Sequence, residues 1–141
     1  MTVPVLADVV VGQEVARRTV AVDRARLVRY AGASGDFNPI HWNERVATSV
    51  GLPGVIAHGM WTMGAAVAVL EDWLGDPTAV VDYRTRFTRP VVVPDPGQAE
   101  VEVVATVGAV DPEAGTARVD LAVAVEGVAV LGKAQAVVRL G

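Results

Sequence analysis

Apolar and polar positions divide the chain into two textures. Residues 1–76 read as mixed and helical, and residues 77–141 as strands. In the second part Tyr83, Thr85 and Phe87 alternate with Arg84 and Arg86, which is the period of a half-buried strand. Val101 and Val103, then Val119, Leu121, Val123 and Val125, continue the alternation, and Val128 to Leu140 reads as a last strand. Asp111 to Gly115 and Glu126-Gly127 supply hairpin turns between them. In the first part Glu14 to Val22 is rich in β-branched residues and predicts a strand. Asp23 is placed to cap a helix carrying Leu27, Val28, Tyr30 and Ala31, which Gly32 and Gly35 end. Asn43 caps a short helix to about Val50, broken by Gly51, Pro53 and Gly54. From Gly59 to about Leu74 runs a third helix, apolar almost all round, which predicts a helix buried on every side. The expectation is an α+β chain: a buried helix with a long antiparallel sheet around it and an α-rich insertion before it.

Composition narrows the setting. At 141 residues one domain is the natural count, spanning residues 1–141. There is no cysteine, so disulfide and thiolate chemistry are excluded. The net charge is −4 and no basic stripe with interleaved aromatics occurs, so nucleic acid is not expected as a partner. The first residues lack the basic and apolar regions of a secretion signal, and the apolar runs are short for a membrane span. A cytoplasmic protein with no membrane partner is the expectation.

Candidate chemistry concentrates between Ser34 and Gly59. Both histidines of the chain, His41 and His58, lie there, together with Asp36 in a Gly-Asp-x-Asn-Pro loop. Gly35 permits unusual backbone angles and Pro39 fixes one dihedral, so such a loop can present Asp36 and His41 to one point. A carboxylate and an imidazole suit acid–base catalysis near neutral pH. The plainer alternative is a local turn made by Asp36, with His41 packed. A metal site is a further option, although close ligand spacing is missing. Gly32-Ala33-Ser34-Gly35-Asp36 fails the serine-hydrolase elbow, because Asp36 stands where the last glycine is needed. At Ala57-His58-Gly59-Met60 a loop enters the buried helix, whose first amides are free to bind a substrate oxygen. His58 fits a structural role, bonded to backbone, better than a catalytic one.

Tyr30-Ala31-Gly32-Ala33-Ser34-Gly35-Asp36-Phe37-Asn38-Pro39-Ile40-His41 resembles the signature of the MaoC-like, R-specific enoyl hydratase family, which has the hot-dog fold. Ile56 to Met60 and Arg86-Phe87 with Pro90-Val91 are also similar to that family's pattern. Within it the chain most resembles the B-subunit type of mycobacterial (3R)-hydroxyacyl-carrier-protein dehydratase. The resemblance implies a dimeric hot-dog fold and a hydro-lyase acting on CoA or carrier-protein thioesters, with no cofactor and no metal. It carries over Asp36 and His41 as the catalytic pair and the Gly59 amide as oxyanion donor. Asn38, Met60, Trp61, Arg84 and Arg86 are the expected substrate contacts, with Arg89 a further candidate for a carrier or a phosphate. The expected partner is a second hot-dog unit, as homodimer or heterodimer. A hot-dog thioesterase, or a subunit that only shapes a partner's site, are the alternatives.

Overall fold

The computed structural model describes residues 3–141. Its strands are β1 (Glu14–Val22), β2 (Val80–Phe87), β3 (Ala99–Asp111), β4 (Thr116–Val125), β5 (Val128–Ala129) and β6 (Leu131–Arg139). Its α-helices are α1 (Arg24–Ser34), α2 (Glu44–Ser49) and α3 (Gly59–Leu74). The strands form one antiparallel sheet in the order β1-β3-β4-β6-β2, with β5 beside β4. The capping residues act where the sequence places them. Asp23 accepts from the Arg26 amide, and Asn43 from the Val46 amide. Helix α1 runs through Gly32 and ends only at Gly35, whose φ of 77° lies in the left-handed region.

Alternation decides which face of the sheet meets α3. Val101, Val103, Ala105 and Val107 of β3 are buried, as are Val119, Leu121 and Val123 of β4 and Ala134, Ala136 and Val138 of β6. All of these but Val107 pack with Trp61, Ala66, Val69, Leu70 and Leu74 of α3 in one core. A buried Val or Leu side chain contributes about 1.5–3 kcal/mol, so this contact dominates the favourable side of folding. Tyr83 adds a polar tie between β2 and α3. Its hydroxyl donates to the Met63 carbonyl at 2.8 Å, and burial pushes the phenol pKa up to about 12.

Two expectations change. Helix α3 is not buried on every side. Met60, Gly64, Ala68 and Asp72, spaced four apart, face outward, because the sheet covers only the opposite flank. The last strand is also broken. Leu121 pairs with Ala134 and Ala124 with Ala129, so Ala122 and Val123 face the four residues Val130 to Lys133. Lys133 takes a φ of 48° in this bulge. The irregularity sets Val130 and Leu131 against the loop after β2, where Val130 accepts from the Thr88 amide. Among the described residues no helix is long and apolar enough to cross a membrane.

The Tyr83 tie can be measured. Tyr83→Phe removes one hydroxyl donor and leaves the packing, so urea unfolding is expected to show a loss of about 1 kcal/mol.

Candidate active site

Asp36 is held by its own loop. Its amide donates to Ser34 Oγ at 3.1 Å, and its Oδ1 accepts from the Asn38 amide at 3.1 Å. Asn38 in turn accepts from the Ile40 amide, capping the turn Pro39–His41. The expected local turn is therefore present, and it leaves Oδ2 free. That oxygen lies 3.9 Å from Nε2 of His41. The Asp36 side chain is half exposed, whereas His41 is buried.

His41 is oriented from behind. The segment Val55–Ala57 pairs with Val91–Val93 on one side, and Ile56 donates to the Ile40 carbonyl on the other. The Ile56 carbonyl meets Nδ1 of His41 at 2.7 Å. A carbonyl only accepts, so Nδ1 carries the hydrogen and Nε2 presents its lone pair toward Asp36.

The next residues lead into α3. Gly59 is its first residue, and its amide and that of Met60 precede the first bond of the helix, which Trp61 donates to the His58 carbonyl. The Phe87 ring covers Gly59, its nearest carbon 3.0 Å from where a Cβ would stand. Gly59 and His41 line a cavity of about 290 Å³ together with Ile56, Thr62, Val91 and Leu131. Thr62 stands three residues after Gly59 on the same helical face, buried in the cavity wall. Thus His41 and Gly59 line one cavity, and Asp36, which is not among its lining residues, approaches His41 at 3.9 Å. The other candidate contacts do not line the cavity. Asn38 serves its own loop, Trp61 is in the core, Met60 is 61% exposed, Arg84 pairs with Asp82, and Arg86 is exposed on β2. Arg89 does stand at the cavity wall. Thr62 was findable from helical spacing. Val130 and Leu131 were not, because strand pairing alone brings them there.

His58 lies behind the pair. Its Nε2 donates to the Asp36 carbonyl at 3.1 Å, and its ring stacks on His41 with centroids 3.8 Å apart and planes 21° from parallel. Burial pushes its pKa below the ordinary histidine value. The backbone bond to Asp36 opposes this shift, and a charge on His41 would add to it. Donor atoms of Asp36, His41 and His58 lie within 4.8 Å of one another. The rings, however, each give one nitrogen to a backbone carbonyl. Their remaining lone pairs lie in nearly parallel planes stacked 3.8 Å apart, a poor arrangement for ligands that must point at one ion.

The family model described as MaoC like domain matches residues 8–125, and the chain belongs to that family. A relative named 3-hydroxyacyl-thioester dehydratase X, from Mycobacterium tuberculosis, is 46% identical over 70 residues, covering 50% of this chain and 24% of its own length. A solved structure titled MaoC-like dehydratase superposes with a TM-score of 0.96 at 39% identity, over 99% of this chain and 43% of that one. The (R)-hydratase from A. caviae involved in PHA biosynthesis superposes at 0.83 with 25% identity, over 95% of this chain and 98% of that one. The chain thus spans less than half the length of the first two. The hot-dog arrangement implied by the sequence is the observed fold.

The depressed pKa of His58 gives a pH test. Above about pH 6.5, the ordinary histidine value, the ring is neutral in the folded and unfolded states alike. As pH falls below it, the unfolded chain takes a proton that the buried ring resists, so stability falls. His58→Phe is expected to reduce the stability lost between about pH 7 and pH 5, read from urea midpoints against the parent protein.

Proposed function

We propose that the chain, taken as one hot-dog unit over residues 1–141, is a hydro-lyase. It removes water from (3R)-3-hydroxyacyl thioesters, or adds it to trans-2-enoyl thioesters. The acyl group is carried by CoA or by an acyl carrier protein, and the work belongs to fatty-acid or related acyl-chain metabolism. The observation that carries this reading is the 3.9 Å gap between Asp36 Oδ2 and His41 Nε2, beside the free end of α3. A single oxygen about 2.8 Å from each atom fits that gap, which suits a water or a 3-hydroxyl. The names of the relatives support the same chemistry.

In this mechanism the thioester oxygen rests on the Gly59 amide. The positive end of α3 and that N–H stabilise charge on the oxygen, which makes the α-proton more acidic. The Asp36–His41 pair takes this proton from the α-carbon and delivers one to the 3-hydroxyl. The carbon–oxygen bond breaks, a carbon–carbon double bond forms, and water leaves. The pair regains its starting protonation, so no net proton is consumed. Hydration reverses each step. All these groups belong to the chain or the substrate, so the proposal requires no metal or cofactor.

Loss of enoyl absorbance from crotonyl-CoA, without release of free thiol, is the result expected of a hydratase. Thiol release would point to a thioesterase and overturn the reading. Asp36→Asn and His41→Ala are each expected to lower turnover by at least about 10²-fold while still folding, with His58→Ala losing much less. Gly59→Pro deletes the amide at a position where proline is otherwise tolerated, since His58 has φ −60° and ψ 132°. Phe87 must give way slightly, and turnover is expected to fall by roughly 10²–10³-fold. Equal losses at His41 and His58, or normal turnover in a folded Gly59→Pro protein, would reject these roles.

A second hot-dog unit, identical or related, belongs to the same proposal. β1 and β2 are open edges of the sheet, and Met60, Gly64 and Ala68 leave an apolar stripe of α3 outward. Phe37 and Phe87, next to or against site residues, are also exposed. Light scattering is expected to report a dimer, alone or with a co-expressed hot-dog partner. A fully active monomer would rule this out.

A further inference from the structure

His58 is the buried titratable group that the mechanism leaves unused. It stands at the N-cap of α3, where a side chain commonly binds the free amides of the first turn. It makes no such bond. Its ring reaches away from the helix, is 1% exposed, and is not among the residues lining the cavity. It therefore does not touch a substrate held there. Three contacts hold it instead. Nε2 donates to the Asp36 main chain, one face stacks on His41, and Tyr30 of α1 packs edge to face with centroids 4.7 Å apart.

These contacts come at a cost. Donation from Nε2 leaves Nδ1 as a bare acceptor, and that atom is buried with no hydrogen-bond partner. Unsatisfied buried polar atoms are rare because they forfeit their hydration, and each calls for an explanation. A hydrocarbon ring would stack without the orphan nitrogen, but could not hold Asp36. A glutamine could hold Asp36, but could not stack on His41. Only an aromatic ring with a donor at the Nε2 position makes both contacts.

We propose that His58 is a positioning residue, a neutral ring that sets Asp36 and His41 in register with the Gly59 amide. Gly59 is the next residue in the chain, so one rigid side chain spans from the oxyanion donor to both members of the pair. The substrate's reacting carbons must lie between those groups, and a shift of about 1 Å there costs as much as 10²-fold in rate. The neutral state also fits turnover. When His41 holds the transferred proton, the ring stacked on it must carry no second charge. This inference rests on the dehydratase reading, and its test has an arm that does not.

That arm is long-range nitrogen–proton NMR on the parent protein at pH 7. The expected result is a neutral His58 protonated at Nε2 and a His41 whose hydrogen is on Nδ1 when neutral. A charged His58, or one protonated at Nδ1, overturns the proposal whether or not any thioester turns over. The second arm compares His58→Gln, which keeps a donor and loses the ring, with His58→Phe, which keeps the ring and loses the donor. At equal folded fraction each is expected to lower kcat on crotonyl-CoA about tenfold, with KM within about twofold, and to move the titration midpoint of His41. A loss in one variant alone upholds the proposal and assigns the positioning to the contact that variant lacks. Parent-like kcat and an unmoved His41 midpoint in both variants would reduce His58 to packing. Should the parent protein itself leave crotonyl-CoA unchanged, the activity reading is what fails, and the tautomers and the His41 midpoint alone decide the role of His58.

Discussion

Packing of α3 against the inward valines of β3, β4 and β6 is the contact from which the site takes its shape. The sheet supplies an apolar wall because its strands alternate over most of their length, and α3 supplies Ala66, Val69, Leu70 and Leu74 to meet it. Once that helix is seated, its first residue has a fixed place and direction. Gly59 then has its place in the cavity wall, beside His41 and Thr62. A site built on the end of a buried helix holds its donor better than one built on a free loop, because shifting the donor means unpacking the core.

The loop carrying Asp36 and His41 is fastened to this frame by main-chain groups more than by side-chain packing. Asp36 contributes its carbonyl to His58, and Ile56 contributes its carbonyl to His41. Both histidines thus spend one nitrogen on backbone, in opposite senses: Nδ1 for His41 and Nε2 for His58. This difference separates their work. The nitrogen left over on His41 faces Asp36 at the cavity, while the one left over on His58 is sealed in the interior. Two identical side chains, stacked face to face, are given unlike chemistry by the carbonyls behind them.

Much of this was legible in the chain. Caps at Asp23 and Asn43, the strand from Glu14 to Val22 and the helix from Gly59 to Leu74 follow from short-range chemistry, and short-range chemistry decided them. The Asp36 loop was legible because glycine and proline constrain it locally. What escaped depends on distant pairing. The bulge at Val130 to Lys133 arises from how β4 meets both β5 and β6, and the alternation of valines passes over it without a signal. The outward stripe of α3 escaped for a similar reason. An apolar helix reads as buried all round, whereas one sheet can cover only one side of it. The Phe87 ring over Gly59 required the end of β2 to reach the start of α3, which no local pattern reports.

The strand order has a consequence for synthesis. β2 is the next strand after α3 in the chain, yet among the described residues its one strand neighbour is β6, with Val80 opposite Val138 and Phe87 opposite Leu131. A ribosome therefore releases β2 about fifty residues before its partner exists, taking the separation of those pairs. Until then α3 has no complete wall, and the apolar residues of β2 and α3 stay open to other chains. The cavity shares this delay, since Leu131 closes one side of it. Contacts between residues far apart in sequence form slowly, and unpaired strands are prone to aggregate while they wait. The nascent chain is thus most vulnerable across the interval between β2 and β6, and its cavity is closed only when β6 arrives.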